Sequence, residues 1–239
     1  MESTVSPRLD VPSPSDVHEL LRQHILADGF NMVLDLDRSH GPYLYDSLNR
    51  VELLDFFSSF SSNPLGYNHP FLTSSAFRER LVNASVNKPA NSDLYTVEMA
   101  AFVEAFSRTV PVPLRDRLFF VSGGSLAVEN AMKSAFDWKR RKNLEAGRSE
   151  KGSQIVHFRE AFHGRSGYTL SVTNSDPTKK MYFPRFEWPR ISSPKLRFPI
   201  DETVIAEVEK AEEKAIEEIR AAVREHGHDI AGLLIEPIQ

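Results

Sequence analysis

The chain has 239 residues, 41% of them hydrophobic and 26% charged, with a net charge of −4 at pH 7. Its 29 Lys and Arg are offset by 33 Asp and Glu with no long like-charged block, which argues against a nucleic-acid or anionic-membrane footprint. The lack of cysteine excludes disulfides, thiolate zinc sites and a cysteine nucleophile, and no run of 18 apolar residues is available to span a bilayer.

Residues 1–15 carry Pro7, Pro12 and Pro14 and read as a flexible arm without the apolar core of a signal peptide, so a cytoplasmic location is expected. A short helix follows, in which Val17, Leu20, Leu21 and Ile25 share a face. Three apolar runs at 32–36, 43–45 and 51–56, separated by turn residues, predict a small antiparallel sheet. Together these elements suggest a small α+β segment over 16–66. The segment 87–93 (Asn-Lys-Pro-Ala-Asn-Ser-Asp) reads either as a loop ending in an N-cap at Ser92 or Asp93, or as a stretch near a subunit boundary.

Helical spacing resumes over 95–109, with Val97, Ala101, Phe102, Ala105 and Phe106 on one side. Strands and helices then alternate: a strand at 118–121, a helix at 126–142, a strand at 154–158, a helix at 204–223 and a strand at 230–235. This order predicts an α/β domain with a mainly parallel sheet, beginning near residue 67 and running to 239. Between 160 and 200, five prolines with Phe183, Phe186 and Trp188 among them predict a long irregular excursion. Its aromatics either pack on the sheet or shape a substrate entrance.

Two motifs carry chemistry. Ser122-Gly123-Gly124-Ser125 joins a strand to a helix, so bare backbone N–H groups and the positive helix end face outward as a cup for phosphate. In that setting the Ser125 hydroxyl either caps the helix or donates to the anion, and a plain strand-to-helix turn is the alternative reading. Forty residues on, Phe162-His163-Gly164-Arg165 offers an aromatic face, an imidazole and a guanidinium that stack on a ring and clamp a carboxylate. The terminal strand ends in Glu236 and Gln239, at the edge where open α/β sheets bind ligands. A phosphorylated aromatic cofactor with an acidic substrate fits this set.

With these residues assembled, the chain resembles the fold-type I, class III pyridoxal-phosphate aminotransferases, and among them the lysine ε-aminotransferases. The likeness runs in order through Asn87-Lys-Pro-Ala-Asn-Ser-Asp, Val121-Ser-Gly-Gly-Ser-Leu-Ala-Val-Glu-Asn-Ala, Ala161-Phe-His-Gly-Arg-Ser-Gly-Tyr, Phe186-Glu-Trp-Pro-Arg-Ile and Ile235-Glu-Pro-Ile-Gln. It covers nearly everything after residue 15.

The resemblance implies that Gly124 and Ser125 bind the phosphate of pyridoxal 5′-phosphate through backbone N–H groups, that Phe162 stacks on its ring and that His163 supports Phe162. It further implies that Arg165 grips a substrate carboxylate and that Glu236 and Gln239 lie near the cofactor, with no metal involved. The implied partners are L-lysine, 2-oxoglutarate and a second subunit in a homodimer. The family's Schiff-base lysine and the aspartate on the pyridine nitrogen find no counterpart in the chain, so no catalytic residue is assigned and the sequence reads as the N-terminal part of a longer enzyme. A class III enzyme acting on ornithine or 4-aminobutyrate, and a non-catalytic short protein, stand as alternatives.

Overall fold

A computed structural model describes residues 11–88 and 90–238. Gln239 lies outside the described residues, as do Pro89 and residues 1–10 of the proline-bearing arm. The chain divides into two compact units that meet between Thr109 and Val110.

The first unit holds the short helix α1 (Val17–Arg22) and an antiparallel meander of β1 (Leu34–His40), β2 (Tyr43–Asp46) and β3 (Val51–Leu54). The β2–β3 register is regular, from Tyr43 opposite Leu54 to Asp46 opposite Val51. Asp46 is buried, and burial pushes its carboxyl pKa up. Hydrogen bonds from Val33 N (3.0 Å), Asn49 Nδ2 (2.5 Å) and Leu48 N (2.9 Å) outweigh that and leave it lowered, which ties the meander to the chain before β1. The helical turns α2 (Ser58–Ser61) and α3 (Pro70–Thr73) lead to α4 (Ser75–Asn87) and α5 (Val97–Ser107). The cap of α5 is neither Ser92 nor Asp93. Thr96 takes that role, its Oγ1 accepting from Met99 N at 3.1 Å, because a cap must sit three residues ahead of the N–H that it satisfies.

The second unit is a three-layer α/β/α arrangement. Helix α6 (Gly124–Glu145) precedes β4 (Gln154–Phe158). The turn α7 (Thr169–Val172), strand β5 (Arg190–Ile191), helix α8 (Glu202–His226) and strand β6 (Ile230–Leu234) follow. The sheet order is β5-β4-β6 with both pairings parallel. Alternation along β4 decides what packs where. Ile155 joins Met132 of α6, Val172, Trp188 and Ala231 on one face, while Val156 joins Ile191 and Ala222 of α8 on the other. Both faces of a parallel sheet must be covered, and the apolar residues of β4 accordingly serve both. Asp201 caps α8 by accepting from Val204 N at 2.8 Å.

Two expectations differ from this picture. The run 118–121 belongs to neither sheet, since a strand exists only through its ladder and both sheets are made up without it. The proline-rich excursion contains α7 and β5. Of its aromatics, Trp188 packs on the sheet and Phe186 stacks on it at 5.0 Å and 9°, with Tyr168 and Phe136 against Trp188, while Phe183 stays exposed. Trp188 is buried in the same cluster as Met132. Among the described residues, no helix is long and apolar enough to cross a membrane.

Candidate active site

The cup forms at the start of α6. Gly123 has φ +91°, a conformation open to glycine and strained for other residues, and turns the chain from the extended run 117–121 into the helix. The first hydrogen bond of the helical ladder runs from Ala127 N to Gly123 O at 3.1 Å, so the N–H groups of Gly124, Ser125 and Leu126 lie ahead of it at the positive end of the helix. Among the described residues, nothing stands within 4 Å of where a β-carbon on Gly123 or Gly124 would sit. Bare backbone therefore faces an open approach, the form that a phosphate cradle requires.

Ser125 does not cap the helix. Gly123 occupies the N-cap without a side-chain hydrogen bond, and the Ser125 hydroxyl turns inward to Ser166 Oγ (2.5 Å) and Thr169 Oγ1 (2.9 Å). That contact brings the two motifs together, because Ser166 directly follows Phe162-His163-Gly164-Arg165. Gly164, at φ +117°, lies against Ser125 so tightly that a β-carbon would fall 2.6 Å from Ser125 Cβ.

The Phe162–Arg165 segment hangs on backbone hydrogen bonds from three sides. Glu236, just past β6, accepts from Phe162 N at 2.8 Å. Thr173 Oγ1 accepts from His163 N at 2.9 Å and donates to Gly164 O at 2.6 Å. Asn174 donates from its backbone to Ala161 O (2.7 Å) and from Nδ2 to Phe158 O (2.9 Å). Buried Lys180 donates in turn to Thr173 O and to Asn174 Oδ1 (2.8 Å for the latter). Burial pushes the Lys180 ammonium pKa down, with Arg190 and Arg185 adding to the effect and Asp176 opposing it.

This suspension leaves Phe162 half exposed and Arg165 exposed, and both line a cleft of about 100 Å³ with Leu170, Thr173 and Lys180. His163 instead points inward, 8% exposed, with Nε2 buried and without a hydrogen-bond partner among the described residues. Burial pushes its pKa down, against the nearby Glu236 carboxylate. The geometry thus offers an anion seat, an aromatic face and a guanidinium around one glycine contact, and its donors and open backbone fit a phosphorylated aromatic ring.

Glu129, Ser166, Thr169, Thr173, Asn174 and Lys180 hold the site together, and none was assigned a site role from the sequence. A signal was present: hydroxyls at 166, 169, 171 and 173 directly follow Arg165, and Glu129 interrupts the apolar face of α6 one turn after Ser125.

Comparison with known proteins places this geometry. A family model described as aminotransferase class-III matches residues 25–239. The L-lysine-epsilon aminotransferase of Mycobacterium tuberculosis is 48% identical over 229 residues, covering 95% of this chain and 50% of that protein. The enzyme of the same name from Streptomyces clavuligerus is 49% identical over 225 residues, covering 94% and 49%. A probable mitochondrial 4-aminobutyrate aminotransferase from Caenorhabditis elegans is more distant, at 32% over 225 residues, 86% of this chain and 46% of its own. Among solved structures, the lysine aminotransferase from M. tuberculosis in the internal aldimine form superposes with a TM-score of 0.86 at 48% identity, covering 95% of this chain and 52% of that one. The chain spans about half the length of the curated relatives that it matches. On this match of sequence, fold and site, the chain belongs to the class-III aminotransferase family, with the fold-type I architecture.

Proposed function

We propose that this chain is part of a pyridoxal 5′-phosphate-dependent L-lysine 6-aminotransferase. The enzyme moves the ε-amino group of L-lysine to 2-oxoglutarate and releases 2-aminoadipate 6-semialdehyde and glutamate. The observation that carries the reading is the identity gap: 48–49% to L-lysine-epsilon aminotransferases against 32% to the 4-aminobutyrate enzyme, over comparable stretches.

When bound, the cofactor supplies an electrophilic carbonyl and an electron-withdrawing ring. The residues of this chain seat and orient. The N–H groups of Gly124 and Ser125 hold the phosphate at the helix end, and Phe162 covers one face of the ring. His163 backs Phe162 from inside, and Glu236 fixes the Phe162 backbone from the strand end. Gln239 belongs to the same strand end by sequence. Arg165 presents a planar fork to a carboxylate, and both L-lysine and 2-oxoglutarate have one distant from the reacting carbon, so one guanidinium serves both partners in turn. None of these groups moves a proton. A homodimer in the cytoplasm is the setting proposed for the whole protein.

A substrate panel tests the reading. The full-length protein supplied with pyridoxal 5′-phosphate and 2-oxoglutarate is expected to form glutamate fastest with L-lysine. Glutamate formation that is faster with ornithine or 4-aminobutyrate would reassign the substrate, and none with any amine would remove the activity.

A further inference from the structure

The cup and the aromatic–guanidinium segment are far apart in sequence, yet a single buried carboxylate holds the join. Glu129 lies one helical turn after Ser125 on α6 and is 8% exposed. Its Oε1 accepts from Ser166 Oγ (2.7 Å) and from Tyr168 N (3.0 Å), so it closes the turn that follows Arg165. Gly167, between those two donors, has room for this because a β-carbon there would stand 3.2 Å from the same oxygen.

Counting protons fixes the direction of the first link. An ionised carboxylate only accepts, so the Ser166 hydroxyl spends its one proton on Glu129 and is left as an acceptor. It then accepts a hydrogen bond from Ser125 Oγ at 2.5 Å or from Thr169 Oγ1 at 3.0 Å. Ser166 N, at 3.4 Å from Ser125 Oγ and 3.1 Å from Thr169 Oγ1, supplies a further donor to the pair. The Ser125 hydroxyl is thereby turned towards Ser166 and Thr169, away from the anion seat. What Ser125 offers the phosphate is its backbone N–H.

We propose that Glu129 is a positioning residue for the phosphate seat: through Ser166 it orients Ser125, and so locks the first turn of α6 to the segment that carries Phe162 and Arg165. This inference rests on the cofactor reading above. Loss of the carboxylate strands the Ser166 hydroxyl and the Tyr168 N–H, frees the Ser125 side chain, and loosens the seat for the phosphate more than the ring contact, because Phe162 N and His163 N keep their own anchors in Glu236 and Thr173.

The test compares equilibrium binding of pyridoxal 5′-phosphate and of unphosphorylated pyridoxal to the full-length apoprotein. The Glu129→Leu variant is expected to lose about tenfold in affinity for the phosphorylated form and less than about twofold for pyridoxal, whereas Glu129→Gln, which keeps an acceptor oxygen, stays within about threefold for both. If Glu129→Leu fails to fold, Ser166→Ala removes the bridging hydroxyl while leaving the carboxylate, and the same phosphate-specific loss is expected. Equal weakening of both ligands, or of neither, overturns the proposal while leaving the cofactor reading intact. A wild-type protein that does not prefer the phosphorylated form overturns both.

Discussion

Gly164 rests directly on Ser125: a β-carbon at Gly164 would fall 2.6 Å from Ser125 Cβ and 2.9 Å from Ser125 Cα, and the Gly164 backbone sits at φ +117°. Two separate constraints, sterics and backbone conformation, therefore demand glycine at the point where the two motifs of the site touch. Gly164→Ala is expected to destabilise the protein by about 2–4 kcal/mol and to weaken cofactor binding. Adding Ser125→Gly, which removes the opposing side chain, is expected to recover part of the loss. Thermal melts with and without pyridoxal 5′-phosphate measure both effects, and an unchanged single variant would remove the contact from the account.

Arg165 is held by its backbone neighbours and exposes its guanidinium to the cleft beside Phe162. Arg165→Lys keeps the charge and loses the planar fork. The expected result is a KM for L-lysine raised by roughly tenfold or more with a smaller change in kcat, since a bidentate carboxylate contact is not reproduced by a point charge. Steady-state kinetics separate the two parameters.

His157 gives the second unit a pH dependence. The side chain is fully buried on β4, with Nδ1 3.2 Å from Ile155 O and Nε2 unpartnered among the described residues. Burial pushes its pKa down to about 4, against the hydrogen bond with Ile155 O and with help from Arg190, His163 and Lys180. The folded state thus excludes a proton that the unfolded chain binds below its ordinary pKa of about 6.5. Stability from this group is fully present above pH 6.5 and is lost as pH falls towards 4, by on the order of 3 kcal/mol. Urea titrations across that window are expected to show the slope, and His157→Asn is expected to flatten it.

Asp229 latches the chain ahead of β4 to the chain ahead of β6. It accepts from Gly152 N (2.7 Å), Ser153 N (2.9 Å), Ser153 Oγ (3.1 Å) and Gln154 Nε2 (3.1 Å). Burial pushes its carboxyl up, but these donors overcome that and hold the pKa at about 2, so its contribution persists above pH 3.8 and fades as pH drops through 2. Asp229→Ala leaves several donors unmet and is expected to cost about 2–4 kcal/mol, with Asp229→Asn in between. Chemical denaturation at neutral pH reads this directly.

The 239-residue chain produced by itself is expected to self-associate. Phe119 is 71% exposed, and Leu233 and Ile235 at the end of β6 are close to half exposed, a display of apolar surface that seeks a cover. Light scattering measures it, and a monodisperse, cooperatively melting monomer would contradict the expectation.

Much of the fold was legible because its signals were local. The periodic apolar face of α6, the apolar residues of β4 and the periodic apolar face of α8 each announce an element within a few residues. Strand β5 was hidden because it is two residues long and exists only through its pairing with β4 inside a proline-rich stretch. The run 118–121 has a strand's composition, yet composition cannot supply a ladder. In the site, Gly123-Gly124 and Phe162–Arg165 stood out by residue type, whereas their connection did not. Ser125 reaches Ser166 across 41 positions and Phe162 N reaches Glu236 across 74, and such contacts are set by tertiary packing alone. Ordinary polar residues such as Glu129 and Lys180 were given no site role because their significance lies in what they touch.

The most direct measurement follows the visible absorbance of the full-length protein loaded with pyridoxal 5′-phosphate as one substrate is added at a time. L-Lysine alone is expected to convert the absorbance in a single turnover and 2-oxoglutarate to restore it, with Arg165→Lys slowing both at subsaturating substrate. Conversion by 4-aminobutyrate or ornithine but not by L-lysine, or no spectral response to any amine, would contradict this expectation.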